Sequence, residues 1–344
     1  MINILEFDLN ELMQHFKERD IKAFRAQQIF DWIFKKHVLD FSKMLNLPKD
    51  FRTKLKTEYV IDLPELSKKQ ISSLDGTKKY LWNLNDGEKI ESVLLIHPDR
   101  ITACISTQVG CSLNCSFCAT GKCGFTRNLK VSEIIGQVLA MTLEHEQRIG
   151  NVVFMGMGEP FLNYKNLKKS IQILNSKEAF DISKRRISVS TAGIIPGILK
   201  MAEDFPEVVL SVSLHAPNNH IRETLMPISQ TYPFQQLINT IKQYNEITGK
   251  RVTIEYLLIK EVNDSLEHAL VLSKTLKELK VNLNLIPVNP VNPDYERPGP
   301  KHILAFKEIM EKNGIETVIR HEKGTDIAGA CGQLKNQSIK GEMF

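Results

Sequence analysis

The residues of this 344-residue chain best placed to do chemistry are three cysteines in one short loop. Between Cys104 and Cys118 the chain reads CISTQVGCSLNCSFC, and Cys111, Cys115 and Cys118 stand in C-x3-C-x2-C spacing. An iron-sulfur cube is usually held by four cysteines, so three in one loop imply an iron whose last position is free for a small molecule. An open iron turns an electron carrier into a candidate catalyst. A second reading uses the same loop: with Cys123 as a fourth thiolate, C-x3-C-x2-C-x4-C suits a closed structural zinc site.

Further polar groups recur at the ends of apolar runs. NVVFMGMGEP ends in Gly156, Gly158 and Glu159, where two glycines allow close approach of a ligand and a carboxylate can pair with a ligand ammonium. Ser190 and Thr191 follow RRISV, Ser213 and His215 follow VVLSV, and Asn289 follows NLIPV. Each alone could simply cap the next helix; together they form a ring on one predicted face. Cys331 sits in GTDIAGACGQL, a run of small residues that predicts a flexible loop, and Cys104 lies on a strand. Taken singly, both read as small buried hydrophobes.

Five of the six cysteines fall within twenty residues, which is no disulfide scaffold and reads as metal binding or catalysis in a reducing compartment. No apolar run reaches the ~18 residues of a membrane span, and MINILEFDLN carries an acid where a signal peptide wants Lys or Arg. A cytoplasmic protein is expected. The net charge of +5 is modest, but no acid occurs between Arg100 and Ser132, while Arg100, Lys122, Arg127 and Lys130 are basic. That cationic rim around the cysteine loop suits an anionic substrate such as RNA.

Elements must position these groups. Residues 1–60 show helical periodicity through Leu12, Phe16, Ile21, Phe24, Ile29, Trp32, Ile33 and Phe34, with Pro48 ending one segment. Their 11 basic against 9 acidic residues leave RNA contact open. Over 61–100, KKYLWNL and KIESVLLI flank the turn signals Asp75-Gly76 and Asp86-Gly87, which predicts a small antiparallel β connector. From Ile101 a strand-helix alternation runs through ITACIST, NVVFMGM, RRISVST, VVLSVSL, RVTIEYLLI, VNLNLIPV and ETVIRH. About six βα units predict a partial barrel or an open doubly wound sheet, each with function at the C-terminal strand ends. Residues 101–335 form this catalytic unit and 336–344 a tail.

The loop GCSLNCSFCATG, then GFTRNLKVSEIIGQ, FMGMGEPFLN, RRISVSTAGIIP, SLHAPNN, RVTIEYLL, VNDSLEHA, NLIPVNP and GTDIAGACGQL, resembles the RlmN family of radical S-adenosylmethionine RNA methyltransferases. The resemblance keeps motif order over residues 88–335, and RAQQIFDWIF near the N-terminus is also similar. It implies an α/β fold, a radical SAM partial (βα)6 barrel with an N-terminal helical accessory domain and a small β connector. The implied reaction is methylation of adenosine C2 in the peptidyl-transferase region of 23S rRNA and beside the anticodon of certain tRNAs. C2 lies between two ring nitrogens and is electron-poor, so it does not attack a methyl cation donor. Radical chemistry follows.

By resemblance, Cys111, Cys115 and Cys118 hold a [4Fe-4S] cluster whose open iron takes the amino and carboxylate groups of S-adenosylmethionine. Gly158, Glu159, Ser190, Ser213, Leu214, His215 and Asn289 would contact that cofactor. Cys331 matches the cysteine that first takes a methyl group from one S-adenosylmethionine. A second, cleaved reductively, yields a 5'-deoxyadenosyl radical that activates this methyl group, which then adds to C2 and tethers the RNA. Cys104 matches the resolving cysteine, releasing product as a disulfide bond forms with Cys331. Glu91 matches the proton acceptor for the C2 hydrogen. Cellular reductant and an electron donor are implied partners; Cys123 falls outside the family's set. GMGEP with GFTRNL fits the C2 enzymes better than their Cfr-type relatives, which modify C8. The reading of a different class is a zinc-stabilised RNA-binding protein without chemistry.

Overall fold

The structure is a computed structural model describing residues 1–289, 291 and 293–335; the expected tail, 336–344, lies outside them. Near the N-terminus, helix Leu9–Lys17 starts at a reciprocal cap: Glu11 N donates to Asp8 Oδ1 at 2.9 Å and Asp8 N to Glu11 Oε2 at 2.9 Å. Helices Phe24–Phe30 and Lys49–Glu58 follow, and short strands Ile2–Asn3 and Tyr59–Val60 pair in parallel, drawing the two ends of this segment together. Leu12, Phe16, Ile29, Ile33 and Phe34 are buried as their spacing predicts. Phe24 departs from that pattern at 50 % exposed, with the Arg25 guanidinium 4.7 Å from its ring centroid. The segment is joined to the rest by Ser132 N donating to Glu6 Oε1 at 3.0 Å and by Phe34 against Phe180 at 5.1 Å.

Strands Glu65–Ile71, Lys78–Asn83 and Lys89–Ile96 form consecutive hairpins, turning at Gly76 and Gly87 with φ of +73° and +85°. These Asp-Gly turns need positive φ, which glycine adopts without a Cβ clash. The hairpins do not stand apart as a separate sheet. Val93 pairs antiparallel with Cys104, so they extend the edge of the main sheet.

Seven parallel strands make up that sheet: Ile101–Cys104, Asn151–Phe154, Ile187–Thr191, Val209–Ser213, Val252–Leu258, Val281–Pro287 and Thr317–Ile319. Each pairs with its successor among them, giving one ten-stranded sheet with the hairpins at one edge and Thr317–Ile319 at the other. A doubly wound sheet reverses its strand order at a switch point. No reversal occurs among these strands, and the architecture is the expected open, partial βα barrel. Helix Val131–His145 buries Ile134, Ile135, Val138, Leu139 and Met141, each side chain worth roughly 1.5–3 kcal/mol when fully removed from water. Its Gln137 also fixes the chain entering the cysteine loop, accepting from Ser106 N at 2.9 Å and donating to Ser106 O at 3.0 Å.

Candidate active site

A cleft of about 180 Å³ opens at the C-terminal ends of the parallel strands. Cys111, Cys115 and Cys118 line one wall, Glu159, Ser190, Ser213 and His215 stand along the strand ends, and Asn289 and Cys331 complete it. Nearly all of the ring expected from sequence therefore faces one space. Leu214 does not line the cleft; it is fully buried, with its N–H bonded to Glu255 O at 3.0 Å. Burying this apolar side chain against the core, just past the end of the strand, removes it from water.

Gly156 and Gly158 are required where they stand. A Cβ on Gly156 would lie 2.7 Å from Ile105 O, and one on Gly158, at φ +100°, would lie 2.5 Å from Gln108 Cβ. Glu159 follows them, 3 % exposed, accepting from Phe161 N at 3.0 Å and Ala192 N at 2.7 Å. Burial outweighs these bonds and pushes its carboxyl up to about 7. A ligand ammonium there would restore the ionised form. His215 accepts Leu257 N–H on Nδ1 at 3.0 Å, so the ring carries its proton on Nε2. Burial, with Arg222 beside it, brings its pKa down to about 3, and it stays neutral.

Burial pushes the Cys111 thiol up to about 12 and the Cys115 thiol further in the same direction. Such thiols ionise only against a nearby positive charge. Among the described residues no three His, Cys, Asp or Glu side chains converge closely enough to hold a single metal ion. Cys123 lies off the cleft wall, its Sγ bonded to Ala119 O at 3.4 Å. The fourth ligand of the zinc reading is thus turned away, and the three thiols that line one wall match a donor set that leaves one position open. A buried cation supports the same fit: Arg222 is fully enclosed and its Nε has no hydrogen-bond partner.

Cys331 reaches the cleft because its segment is bonded to the residues that follow the cysteine loop. Asn289 Nδ2 donates to Cys331 O at 3.2 Å, Ala119 N to Gly332 O at 2.8 Å and Thr120 Oγ1 to Leu334 O at 2.6 Å. Cys104 ends its strand behind, where an adjoining cavity of about 750 Å³ is lined by Cys104, Cys118, Arg320 and Cys331. Burial, then the neighbouring Cys331, raises the Cys104 thiol to about 12. The expected disulfide bond is corrected here: all six cysteines are free thiols. Cys104 is paired within the sheet to Val93 and Val153, and the Cys331 carbonyl is held by Asn289; in this arrangement the two sulfurs are not joined.

Glu91, matched to a proton acceptor, lines neither cavity. It is 1 % exposed, paired with Lys79, and accepts Lys335 N–H at 2.9 Å. The cationic rim is also partly compensated. Arg127 forms paired 2.8 Å bonds to Glu133 and a 2.6 Å bond to Asp86, and Arg100 pairs with Asp99 at 3.0 Å. Sequence reading passed over Glu255 and Arg320, which line the cleft 3.9 Å apart, and Arg222. An acid within the apolar strand RVTIEYLLI was the available signal for Glu255.

Residues 105–272 match the Radical SAM superfamily, and residues 2–61 match the ribosomal RNA large subunit methyltransferase N-terminal domain. A probable dual-specificity RNA methyltransferase RlmN from Fervidobacterium nodosum is 50% identical over 341 residues, covering 98% of both chains. Another, from Thermotoga maritima, is 50% identical over 340 residues, with 99% of each chain covered. A radical SAM methyltransferase from Sphaerobacter thermophilus superposes with a TM-score of 0.93 at 39% identity, over 98% of this chain and 100% of that one. Near-full-length identity at this level, together with both domain matches and a cleft uniting three cysteines with Cys331, establishes that the chain belongs to the RlmN family of radical S-adenosylmethionine methyltransferases.

Proposed function

We propose that this methyltransferase uses S-adenosylmethionine to methylate C2 of an adenosine in the peptidyl-transferase region of 23S rRNA and of the adenosine beside the anticodon in tRNAs. The observation that carries the reading is the single cleft with Cys111, Cys115 and Cys118 on one wall, Cys331 on another, and Glu159 and Asn289 between them. When bound by those three thiolates, a [4Fe-4S] cluster supplies the electron for reductive cleavage of S-adenosylmethionine.

Glu159 takes the ammonium group of S-adenosylmethionine, since a carboxylate displaced upward by burial gains most from a cation. Neutral His215 donates from Nε2, and Ser190 and Ser213 offer hydroxyls along the same rim. Asn289 orients the Cys331 segment through its backbone carbonyl. Cys331 accepts the methyl group and carries it to the RNA base. Cys104, the second thiol behind it, serves product release. Glu91 accepts the C2 proton only after its present bond to the Lys335 amide opens. Residues 1–60 form the accessory domain in this reading, with RNA as their partner, and the setting is cytoplasmic. Among the described residues no helix is long and apolar enough to cross a membrane.

The test is nucleoside mass spectrometry of 23S rRNA and tRNA from a deletion strain and its complement. Loss and restoration of 2-methyladenosine is expected in both RNAs. Loss of 8-methyladenosine instead would assign the C8 reaction, and an unchanged 2-methyladenosine level would overturn the proposal.

A further inference from the structure

Arg222 is a fully buried cation whose hydrogen bonds all go to uncharged groups. Its Nη1 donates to Ser229 Oγ at 2.6 Å, and its Nη2 to Ala192 O at 2.5 Å and Ser213 O at 3.2 Å. Nε is enclosed without an acceptor. Among the described residues no carboxylate forms an ion pair with it, and the cysteine loop is the neighbour able to gather negative charge. A guanidinium removed from water with no carboxylate beside it is costly, and a nearby anion offsets that cost.

The position of Arg222 points to where that anion sits. Its helix, Asn219–Leu225, is bonded to the cysteine loop: Ser116 N and Ser116 Oγ both donate to Leu225 O, at 3.0 and 3.3 Å. The next residue, Met226, lines the cleft beside Cys111, Cys115 and Cys118. Ala192 and Ser213, which receive the guanidinium, are strand-end residues of the same cleft. An iron-sulfur cube held by three thiolates is net anionic and gains a further negative charge on reduction. Cluster potentials respond to nearby charge and to burial.

We infer that Arg222 is the counter-charge of the cluster site and acts as a positioning residue for electron entry, raising the cluster's reduction potential from behind Cys115. The inference rests on the reading of Cys111, Cys115 and Cys118 as cluster ligands. A cation fixed in a dry pocket favours the more negatively charged, reduced state. Bonds to Ala192 and Ser213 hold that cation in place and align it with the strand ends that face the cofactor.

The experiment compares wild type, R222K, R222Q and R222M, purified anaerobically and reconstituted with iron and sulfide. Midpoint potentials come from redox titration followed by electron paramagnetic resonance, and thermal midpoints are taken with and without the cluster. R222Q and R222M should titrate at lower potential than wild type, with R222K close to wild type. Their gain in thermal midpoint on cluster loading should also be smaller. R222M, which leaves no buried polar group of its own, covers the case in which R222Q does not fold. Failure of both neutral variants to retain iron that R222K retains would also support the inference. Equal potentials in all four loaded proteins, with thermal midpoints lowered alike with and without the cluster, would reduce Arg222 to a stitch between carbonyls and overturn the inference alone. Zinc without iron in the wild type would overturn the cluster reading itself, and the inference with it.

Discussion

Lys79 Nζ and Glu91 Oε1 lie 3.5 Å apart with 3% and 1% of their side chains exposed, and this one buried ion pair holds both sides of the segment that carries Cys331. Lys79 Nζ donates to Ala328 O at 3.4 Å, three residues before Cys331, and Lys335 N donates to Glu91 Oε2 at 2.9 Å, four residues after it. Burial drives the Glu91 carboxyl upward, and the Lys79 ammonium is the largest influence opposing it. The pair links an antiparallel hairpin at the sheet edge to the thiol of the cleft.

Removing one partner of an enclosed pair leaves an uncompensated charge, which costs about 3–5 kcal/mol. Lys79→Met should lose stability of that order in urea unfolding. A K79M/E91L double variant should recover most of the loss, because neither charge then remains buried. Additive losses in the double variant would contradict the pairing.

Glu159 sets a pH dependence with a definite sign. Its folded pKa of about 7 lies above the unfolded value, so the folded chain binds more protons between roughly pH 4.5 and pH 7. Ligand-free stability should fall across that window as pH rises, by about 3 kcal/mol in total, and level off above it. Glu159→Gln should remove this slope in unfolding curves taken across the window. Affinity for S-adenosylmethionine should move oppositely, rising with pH as the carboxylate ionises, which calorimetric titration reads directly.

Gly156→Ala places a Cβ 2.6 Å from Ser106 Oγ and 2.7 Å from Ile105 O. The backbone oxygen cannot turn aside, so a loss of about 1–3 kcal/mol is expected. Ser106 Oγ also donates to Glu91 O at 2.6 Å and accepts Met157 N–H at 2.8 Å. The displacement should therefore weaken S-adenosylmethionine binding as well as the fold, a result equilibrium dialysis would check.

The two flanking thiols should separate by phenotype. Cys331→Ala should abolish the covalent RNA-protein adduct, and Cys104→Ala should trap it, as seen by denaturing gel and intact-mass measurement. Turnover at the wild-type rate in either variant would contradict the assigned roles.

Much of the site was legible because its signals are local. The spacing of Cys111, Cys115 and Cys118, the Asp-Gly turns and the polar residues after each apolar run follow from backbone geometry over a few positions. Leu214 shares that strand-end motif, but its side chain is buried while those of Ser213 and His215 line the cleft, a difference that the motif's spacing does not show. The cationic rim is partly compensated for a different reason. Counting acids between Arg100 and Ser132 could not reveal that Glu133, the next residue along, and Asp86, on the preceding hairpin, reach Arg127.

By itself, the sequence determined the cysteine loop, the strand-end ring and the βα order, since each is written in spacing along the chain. Tertiary structure decided which distant residues share a space. It brought Cys331 to the cleft, paired Lys79 with Glu91, enclosed Arg222 on the helix bonded to the cysteine loop and kept Cys104 and Cys331 as free thiols. Burial and charge compensation act through space, so a cation's partner is set by folded distance and local dielectric, whatever its place in the sequence.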